Sequence, residues 1–346
     1  VILLSDKIGF KYVFERNPDL RYIIFAGKGG LGKTTSSAGL SYKLSDLNKK
    51  VLCFSTDPQA SLSDVFERDL FGKGEIEVKK NLYVLEIDAD KRVNEYIESI
   101  RQKIRDMYKI EEIPREIEDY IESSKSEPAM YESAVYDAMI DVISQGRHDY
   151  YIFDMPPFGH GIRMIAMADI LAKWVDKIYE ARKEALELDV AAARLKGEKL
   201  LEYEDQIMKE LNDIRNRIVY FSRLLTDERR TAFVMVLIPE KMAILDTERA
   251  VKMFEELGLK LRGIVINQIY PPKLLEDPGA SDYLKKRVLS QKPYLREIYE
   301  KFSDLIIATI PMFNREPKGL EMISRIGDEL WESSIDLGVI EEIIKR

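Results

Sequence analysis

Gly27-Lys28-Gly29-Gly30-Leu31-Gly32-Lys33-Thr34-Thr35 is the stretch that decides the fold. An apolar run, Tyr22-Ile23-Ile24-Phe25-Ala26, precedes it, and a helical pattern opens at Thr35. Strand, glycine loop and helix with the spacing G-x-x-x-x-G-K-T form a phosphate-binding loop. Gly27, Gly29, Gly30 and Gly32 let backbone N–H groups turn inward on phosphates where a side chain would intrude. The helix that starts at Thr35 adds the partial positive charge of its N-terminus. Lys33 is placed to reach the β- and γ-phosphates, and the Thr34 hydroxyl to hold Mg²⁺. A nucleoside triphosphate is therefore the expected ligand.

Lys28 makes the loop more informative, because an ordinary phosphate loop tolerates almost any residue there. A lysine at that place can project away from its own loop, towards phosphates held by a second subunit. The form K-G-G-x-G-K-T resembles the deviant phosphate loop of ATPases that dimerise face to face around nucleotide. That class includes the nitrogenase iron protein, the division regulator MinD, the arsenite-pump ATPase and the tail-anchored-protein targeting ATPase.

Working outward, Asn48-Lys49-Lys50 lead into a buried-looking strand, Val51 to Thr56, that ends at Asp57. Leu82 to Ile87 repeats the pattern and ends at Asp88; Tyr150 to Phe153 ends at Asp154. Thr231–Ile238, Gly263–Asn267 and Leu305–Ile310 complete a set of strands separated by helical patterns. Such alternation reads as α/β: a doubly wound, mostly parallel sheet whose ligands gather beyond the carboxyl ends of the strands. From about Lys91 to Gln145 the chain reads as charged helix, interrupted at Pro114 and Pro128. Between Lys173 and Leu225 the apolar residues keep a 4-3-4-3 spacing, with a phase break near Gly197. That pattern fits an antiparallel, coiled-coil-like hairpin with arms of about 20 residues, roughly 30 Å each, and the charge at most remaining positions implies that it projects into solvent. Two ordinary helices packed on the core fit it as well. The expected organisation is an ATPase domain over 1–172 and 226–346, a helical part over 90–146 and a hairpin insertion over 173–225.

Composition bounds the function. The chain has 346 residues, 45% hydrophobic and 33% charged, which suits a globular core, and a heat-adapted protein is consistent with the Lys and Glu content. A net charge of −8 argues against general nucleic-acid binding, which wants a basic surface. Cys53 is the single cysteine, so no intrachain disulfide and no cysteine pair for metal can form. No stretch approaches 18 uncharged apolar residues, as a membrane span requires. Val1-Ile2-Leu3-Leu4 is too short for a signal peptide, and a start without Met points to a processed or trimmed chain. A cytoplasmic location is expected.

Asp57, just past its strand on the phosphate-loop side, can orient a water for attack on the γ-phosphate and lie close to Mg²⁺; a turn or helix-cap aspartate is the plainer reading. Asp154 closes Tyr150-Tyr151-Ile152-Phe153 in the form of a Walker B strand, whose aspartate holds Mg²⁺ or a Mg²⁺-bound water. The following Pro156-Pro157-Phe158-Gly159-His160 is suited to move when the γ-phosphate leaves. His148 and His160, the two histidines, have no carboxylate or cysteine spacing that would make a zinc site. Asn267 at a strand end offers donor and acceptor to a base edge, or serves as a turn residue.

Five strings occur in the order and spacing of one family: GKGGLGKTT, DPQASLSDVF, FDMPPFGHGIR, IPEKMAILDTERA and VINQ. They resemble the arsenite-pump and tail-anchored-protein targeting ATPases, over roughly 20–170 and 230–325. The resemblance implies ATP and Mg²⁺ as ligands and a homodimer closing across nucleotide. It implies that Lys28 acts across the dimer, that Lys33 and Thr34 bind phosphate and Mg²⁺, and that Asp57 positions the attacking water. Asp154 with 156–160 would be a second switch, Asn267 would contact adenine, and Pro311 and its following loop would flank the base. Glu248 and Arg249 match the family's T-E-R motif near the dimer interface. The departures carry weight too. Targeting members commonly hold zinc between subunits on a C-x-x-C pair, and Pro271–Arg287 has no cysteine. Zinc is therefore not expected, and a three-thiolate arsenite site cannot form within one subunit. Hydrophobic transmembrane segments are the expected clients, and Met164, Ile165, Met167, Ile170, Leu171 and Trp174 are either part of their groove or an ordinary core stripe. The alternatives are an ATPase energising a membrane pump and a MinD-like regulator that binds a partner through its hairpin. The apolar end of the chain, around Leu337 to Ile344, has few basic residues and reads as a packed terminal helix.

Overall fold

The computed structural model describes residues 7–56, 61–108, 110–125, 128–155, 173, 175–181, 183, 184, 187 and 206–345. Their elements, in order, are α1 Phe10–Arg16, β1 Tyr22–Ala26, α2 Lys33–Asp46, β2 Val51–Ser55, α3 Ser61–Phe66, β3 Ile76–Lys79 and β4 Leu82–Glu86. Next come α4 Ala89–Tyr108, α5 Arg115–Ser124, α6 Pro128–Ser144, β5 Tyr150–Asp154 and α7 Gln206–Thr226. The chain continues through β6 Thr231–Leu237, α8 Lys241–Glu256, β7 Leu261–Ile269, α9 Asp282–Phe302, β8 Ile306–Pro311, α10 Gly319–Trp331 and α11 Leu337–Lys345.

The strands form one sheet in the order β3-β4-β2-β5-β1-β6-β7-β8. All neighbours run parallel except β3 against β4. This is the doubly wound α/β sheet that the sequence pattern implies. Strands β1, β2 and β6 are buried at every residue, as parallel strands covered on both faces must be. One face carries Ile23, Phe25, Cys53, Val234, Val236 and Ala308 in a core shared with Leu40 and Leu44 of α2 and Ile323 and Ile326 of α10. On the alternate register Phe233 meets Phe254 of α8, with ring centroids 5.0 Å apart. Cys53 is buried on β2, and desolvation pushes its thiol far above the ordinary value, so it is inert. The terminal helix α11 buries Ile340 and Ile343, and Arg296 of α9 donates to the Ile344 carbonyl at 3.0 Å.

Packing divides the chain into two units, one over Val1–Asp88, Gln145–Ile162 and Thr226–Arg346, the other over Ala89–Ser144 and Arg163–Leu225. The described residues of the second form helices, among them α4 to α7. Val93, Ile97, Ile121 and Ala134 form its core, and Arg101 pairs with Glu98, Glu118 and Glu122. Pro114 caps α5 and Pro128 opens α6, where the sequence shows its interruptions. Of the hairpin's first arm, residues 173, 175–181, 183, 184 and 187 are described, whereas Met164, Ile165, Met167, Ile170, Leu171 and Trp174 lie outside the described residues. Of the second arm, α7 buries Ile218, Phe221, Leu224 and Leu225 and leaves Ile214 38% exposed. Phe221 meets Tyr136 of α6 edge-on at 4.8 Å, and Arg217 pairs with Asp137 and Asp141 at 2.8 and 2.6 Å. The C-terminal half of α7 therefore packs on a neighbouring helix rather than standing in solvent.

His148 sits between the rings of Tyr83 and Tyr151, with Nε2 3.0 Å from Glu75. Burial lowers its pKa, with Glu75 opposing. The folded state therefore binds the proton less readily than the unfolded chain does. Stability is fully present above pH 6.5, the ordinary histidine value, and is lost as the pH falls through the lowered one. Thermal melts of wild type and His148→Gln, taken at about pH 8 and about pH 5, should show the wild type losing more on acidification. An equal loss in both assigns the acid sensitivity to other groups.

Candidate functional site

The site forms beyond the carboxyl ends of the central strands. β1 runs straight into the glycine loop, and the loop runs into α2. Gly32 has φ +97°, and a Cβ there would lie 2.2 Å from Asn267 Nδ2. Gly27 has φ +148°, and a Cβ there would lie 2.7 Å from the Val236 carbonyl oxygen. Both positions need the left-handed backbone and the missing side chain, so the loop holds a shape no other residue permits. Gly32 leads directly into the N-terminus of α2, which turns its first N–H groups and positive dipole end to the loop. That cradle fits a polyphosphate.

Lys33 is 5% exposed, and its Nζ donates to the Lys28 carbonyl at 3.2 Å. The ammonium thus lies over its own loop, beside the like-signed end of a helix dipole, where an anion is the natural complement. Lys28 has the other environment. Its side chain is 58% exposed and makes a loose 3.7 Å pair with Asp246 of α8, which Arg249 also approaches at 3.6 Å. Glu248 pairs instead with Lys301 at 2.5 Å. Thr35 and Ser36 turn their hydroxyls back to the Gly32 carbonyl, at 2.9 and 2.8 Å, and tighten the first turn of α2.

Asp154 closes β5, next to β1 in the sheet, and is 2% exposed. The Thr34 hydroxyl donates to its Oδ2 at 2.7 Å. Ser55 Oγ at 3.3 Å and Ser61 Oγ at 3.5 Å converge on the same oxygen. A hydroxyl and a carboxylate meeting beside a phosphate cradle are hard oxygen donors, the chemistry Mg²⁺ selects. Asp57 and 156–160 lie outside the described residues.

Asn267, on β7, is 7% exposed. Its Nδ2 donates to the Leu31 carbonyl at 2.9 Å, and its Oδ1 accepts from the Gln268 N–H at 2.9 Å. Here the amide braces the glycine loop, within a strand rather than a turn. Pro311 ends β8 opposite Ile269, and Met312 N–H donates to the Ile269 carbonyl at 2.8 Å. The bend within β7 just before Ile269, where Gln268 has φ +60°, is held by Gln291 of α9. Gln291 donates to the Gln268 carbonyl at 2.8 Å and accepts from the Tyr270 N–H at 3.0 Å.

Three residues outside the sequence-derived set join this arrangement. Ser61 reaches Asp154, Asp246 holds Lys28, and Glu86 closes β4 fully buried. Glu86 accepts the Leu62 and Ser63 N–H groups at 2.7 and 3.1 Å and also the Ser63 hydroxyl. Burial raises its pKa, and those three hydrogen bonds oppose the rise. An acidic residue closing an otherwise apolar strand is the one sequence signal that marks it. Among the described residues no cluster of three or more His, Cys, Asp or Glu could hold a metal, and no helix is long and apolar enough to cross a membrane.

Comparison with known proteins agrees with this geometry. The family described as anion-transporting ATPase matches residues 20–332. A putative arsenical pump-driving ATPase 2 of Aquifex aeolicus is 32% identical over 88% of this chain and 97% of its own. An ATPase get3 of Aspergillus terreus is 28% identical over 90% of this chain and 90% of its own. An ATPase ASNA1 homolog 2 of Paramecium tetraurelia is 26% identical, covering 88% and 91% of the two chains.

Proposed function

The chain belongs to the anion-transporting ATPase family and is an ATPase, and from that premise we propose that it works in the cytoplasm as an ATP-gated homodimer that holds hydrophobic membrane-protein segments. The observation that carries the gating part is the contrast between the two loop lysines. Lys33 is buried over its own loop, and Lys28 is 58% exposed on a single long ion pair. An exposed lysine at the mouth of a phosphate cradle is free to reach the nucleotide of a facing subunit, as the loop's resemblance implies.

In this reading the glycine loop binds the polyphosphate, and Lys33 swings from the Lys28 carbonyl onto its β- and γ-oxygens. Thr34 and Asp154 would hold Mg²⁺, Asp154 directly or through water, and Asp57 would orient the attacking water. Bound there, Mg²⁺ supplies charge neutralisation on the transferring phosphoryl group. Asn267 fixes the loop and, with Pro311 and the bend that Gln291 holds, borders the space next to it where a base would lie. The division into an ATPase domain over 1–172 and 226–346, a helical part over 90–146 and a 173–225 insertion is proposed to separate hydrolysis from client contact.

Client handling rests on the resemblance to the tail-anchor targeting ATPases. The pump-driving alternative is favoured by the name of the Aquifex relative. Against its metalloid form stands the single, buried cysteine. The test is to follow ATP turnover and dimer state together, for wild type and Asp57→Asn, with and without a tail-anchor peptide. Asp57→Asn is expected to accumulate an ATP-bound dimer that keeps the peptide in solution. Hydrolysis with no peptide held in any nucleotide state removes client handling and leaves the pump-driving reading.

A further inference from the structure

We propose that Glu86 is a positioning residue for the ATPase site, gripping the start of α3 so that Ser61 presents its hydroxyl to the Thr34–Asp154 pair. The inference rests on the reading that Thr34 and Asp154 hold Mg²⁺. It concerns a residue that touches neither phosphate nor metal.

The grip is built from both sides. Glu86 is held in place first: its N-terminal neighbours are strand β4, the Ile87 N–H donates to the Ser55 carbonyl at 3.0 Å, and the Gly72 N–H donates to the Glu86 carbonyl at 3.1 Å. Its carboxylate then takes two N–H groups from the first turn of α3, on Leu62 and Ser63, one on each oxygen. The Ser63 hydroxyl joins the second oxygen and in turn accepts the Leu70 N–H at 3.1 Å, so the stretch that follows the short helix is tied to the same anchor. All three groups aimed at Glu86 are donors, the pattern a carboxylate satisfies and an amide does not. One residue before them, Ser61 stands 3.5 Å from Thr34 Oγ1 and 3.5 Å from Asp154 Oδ2. Turning or releasing α3 therefore moves an oxygen at the edge of the Thr34–Asp154 pair.

The test compares wild type, Glu86→Gln and Ser63→Ala. Read first is the ratio of ADP affinities with and without Mg²⁺, by calorimetry; read second is the Mg²⁺ dependence of ATP turnover. Glu86→Gln keeps the shape but turns an NH₂ towards an N–H donor. It is expected to bind metal-free ADP within about twofold of wild type and to lose roughly tenfold in Mg²⁺ enhancement, the scale of a lost outer partner of a metal site. Ser63→Ala, which leaves both backbone bonds intact, is expected to lose about threefold and to fold normally. It carries the test if the first variant does not fold. Amide exchange at Leu62 and Ser63 should speed up in Glu86→Gln. Variants that melt earlier but keep the wild-type Mg²⁺ ratio make Glu86 a purely structural anchor and overturn the proposal. A wild type whose ADP affinity and turnover ignore Mg²⁺ overturns the metal reading and this inference with it.

Discussion

Asp154→Ala is expected to lower kcat for ATP by about 10³-fold while leaving metal-free nucleotide binding nearly intact, since losing roughly 4 kcal/mol of charge stabilisation at a transferring phosphoryl group costs that much rate. The reason is local. Asp154 is buried at the end of β5, and the hydroxyls of Thr34, Ser55 and Ser61 all converge on one of its oxygens. Removing it takes away the carboxylate of the hard-donor pair and the acceptor that three hydroxyls share. The phosphate cradle, built by Gly27, Gly32 and the start of α2, does not depend on it. Stability also falls, because hydrogen bonds to a charged group are each worth about 1.5–3 kcal/mol. Asp154→Asn separates the two effects. It keeps an acceptor for Thr34 and loses only the charge, so it should melt near wild type and still turn over slowly. Phosphate release and thermal melts on both variants make the measurement. An Asp154→Asn protein above about a tenth of wild-type turnover removes Asp154 from the metal, because the charge would then be dispensable.

What the sequence makes legible, and what it hides, follows from how far apart the cooperating residues lie. The sheet is readable because its central strands are buried on both faces and so appear as unbroken apolar runs; β1, β2 and β6 are of that kind. The exception is β3, whose Ile76-Glu77-Val78-Lys79 buries only Val78. It is an antiparallel edge strand joined to β4 through Asn81 at φ +67°, and its charged alternation looks like a loop. The glycine loop is readable for a different reason: its chemistry is packed into nine consecutive residues. Ser61 and Asp246 act on that loop or on its aspartate from other elements, and nothing in their own neighbourhoods announces it; Glu86 acts on the helix that carries Ser61, marked only as an acidic residue at the end of an apolar strand. Asn267 shows the middle case. The sequence offers a base contact or a turn; the folded chain adds a third use, with the side-chain amide spent on the Leu31 carbonyl. A Cβ on Gly32 would strike that amide, so the loop glycine and the distant asparagine explain each other.

Lys28→Ala is expected to lower turnover by about 10³-fold, the lower end of what a cationic finger supplied by a partner contributes to phosphoryl transfer. ATP binding by one subunit should survive, because Lys33, Thr34 and the glycine backbone remain. The fold should be unaffected: the residue is 58% exposed, and its 3.7 Å pair with Asp246 is too long and too solvated to carry more than a small stability term. Loss of rate alone would not say where the lysine acts, so the decisive experiment mixes two inactive proteins. Lys28→Ala keeps an intact phosphate site but has no lysine to lend. Lys33→Ala has a crippled phosphate site but an intact Lys28. If Lys28 acts across the dimer, a mixed dimer has one complete site, formed by the cradle of the first subunit and the lysine of the second. An equimolar mixture should then recover roughly a quarter of wild-type turnover, since half the dimers are mixed and each has one competent site of two. If Lys28 acts on its own nucleotide, no combination of the two proteins completes a site and the mixture stays inactive. Recovery should rise with protein concentration as dimers form, and it should fall when Asp246→Lys is added to the Lys33→Ala partner, because a like charge beside Lys28 displaces it from the position Asp246 now holds.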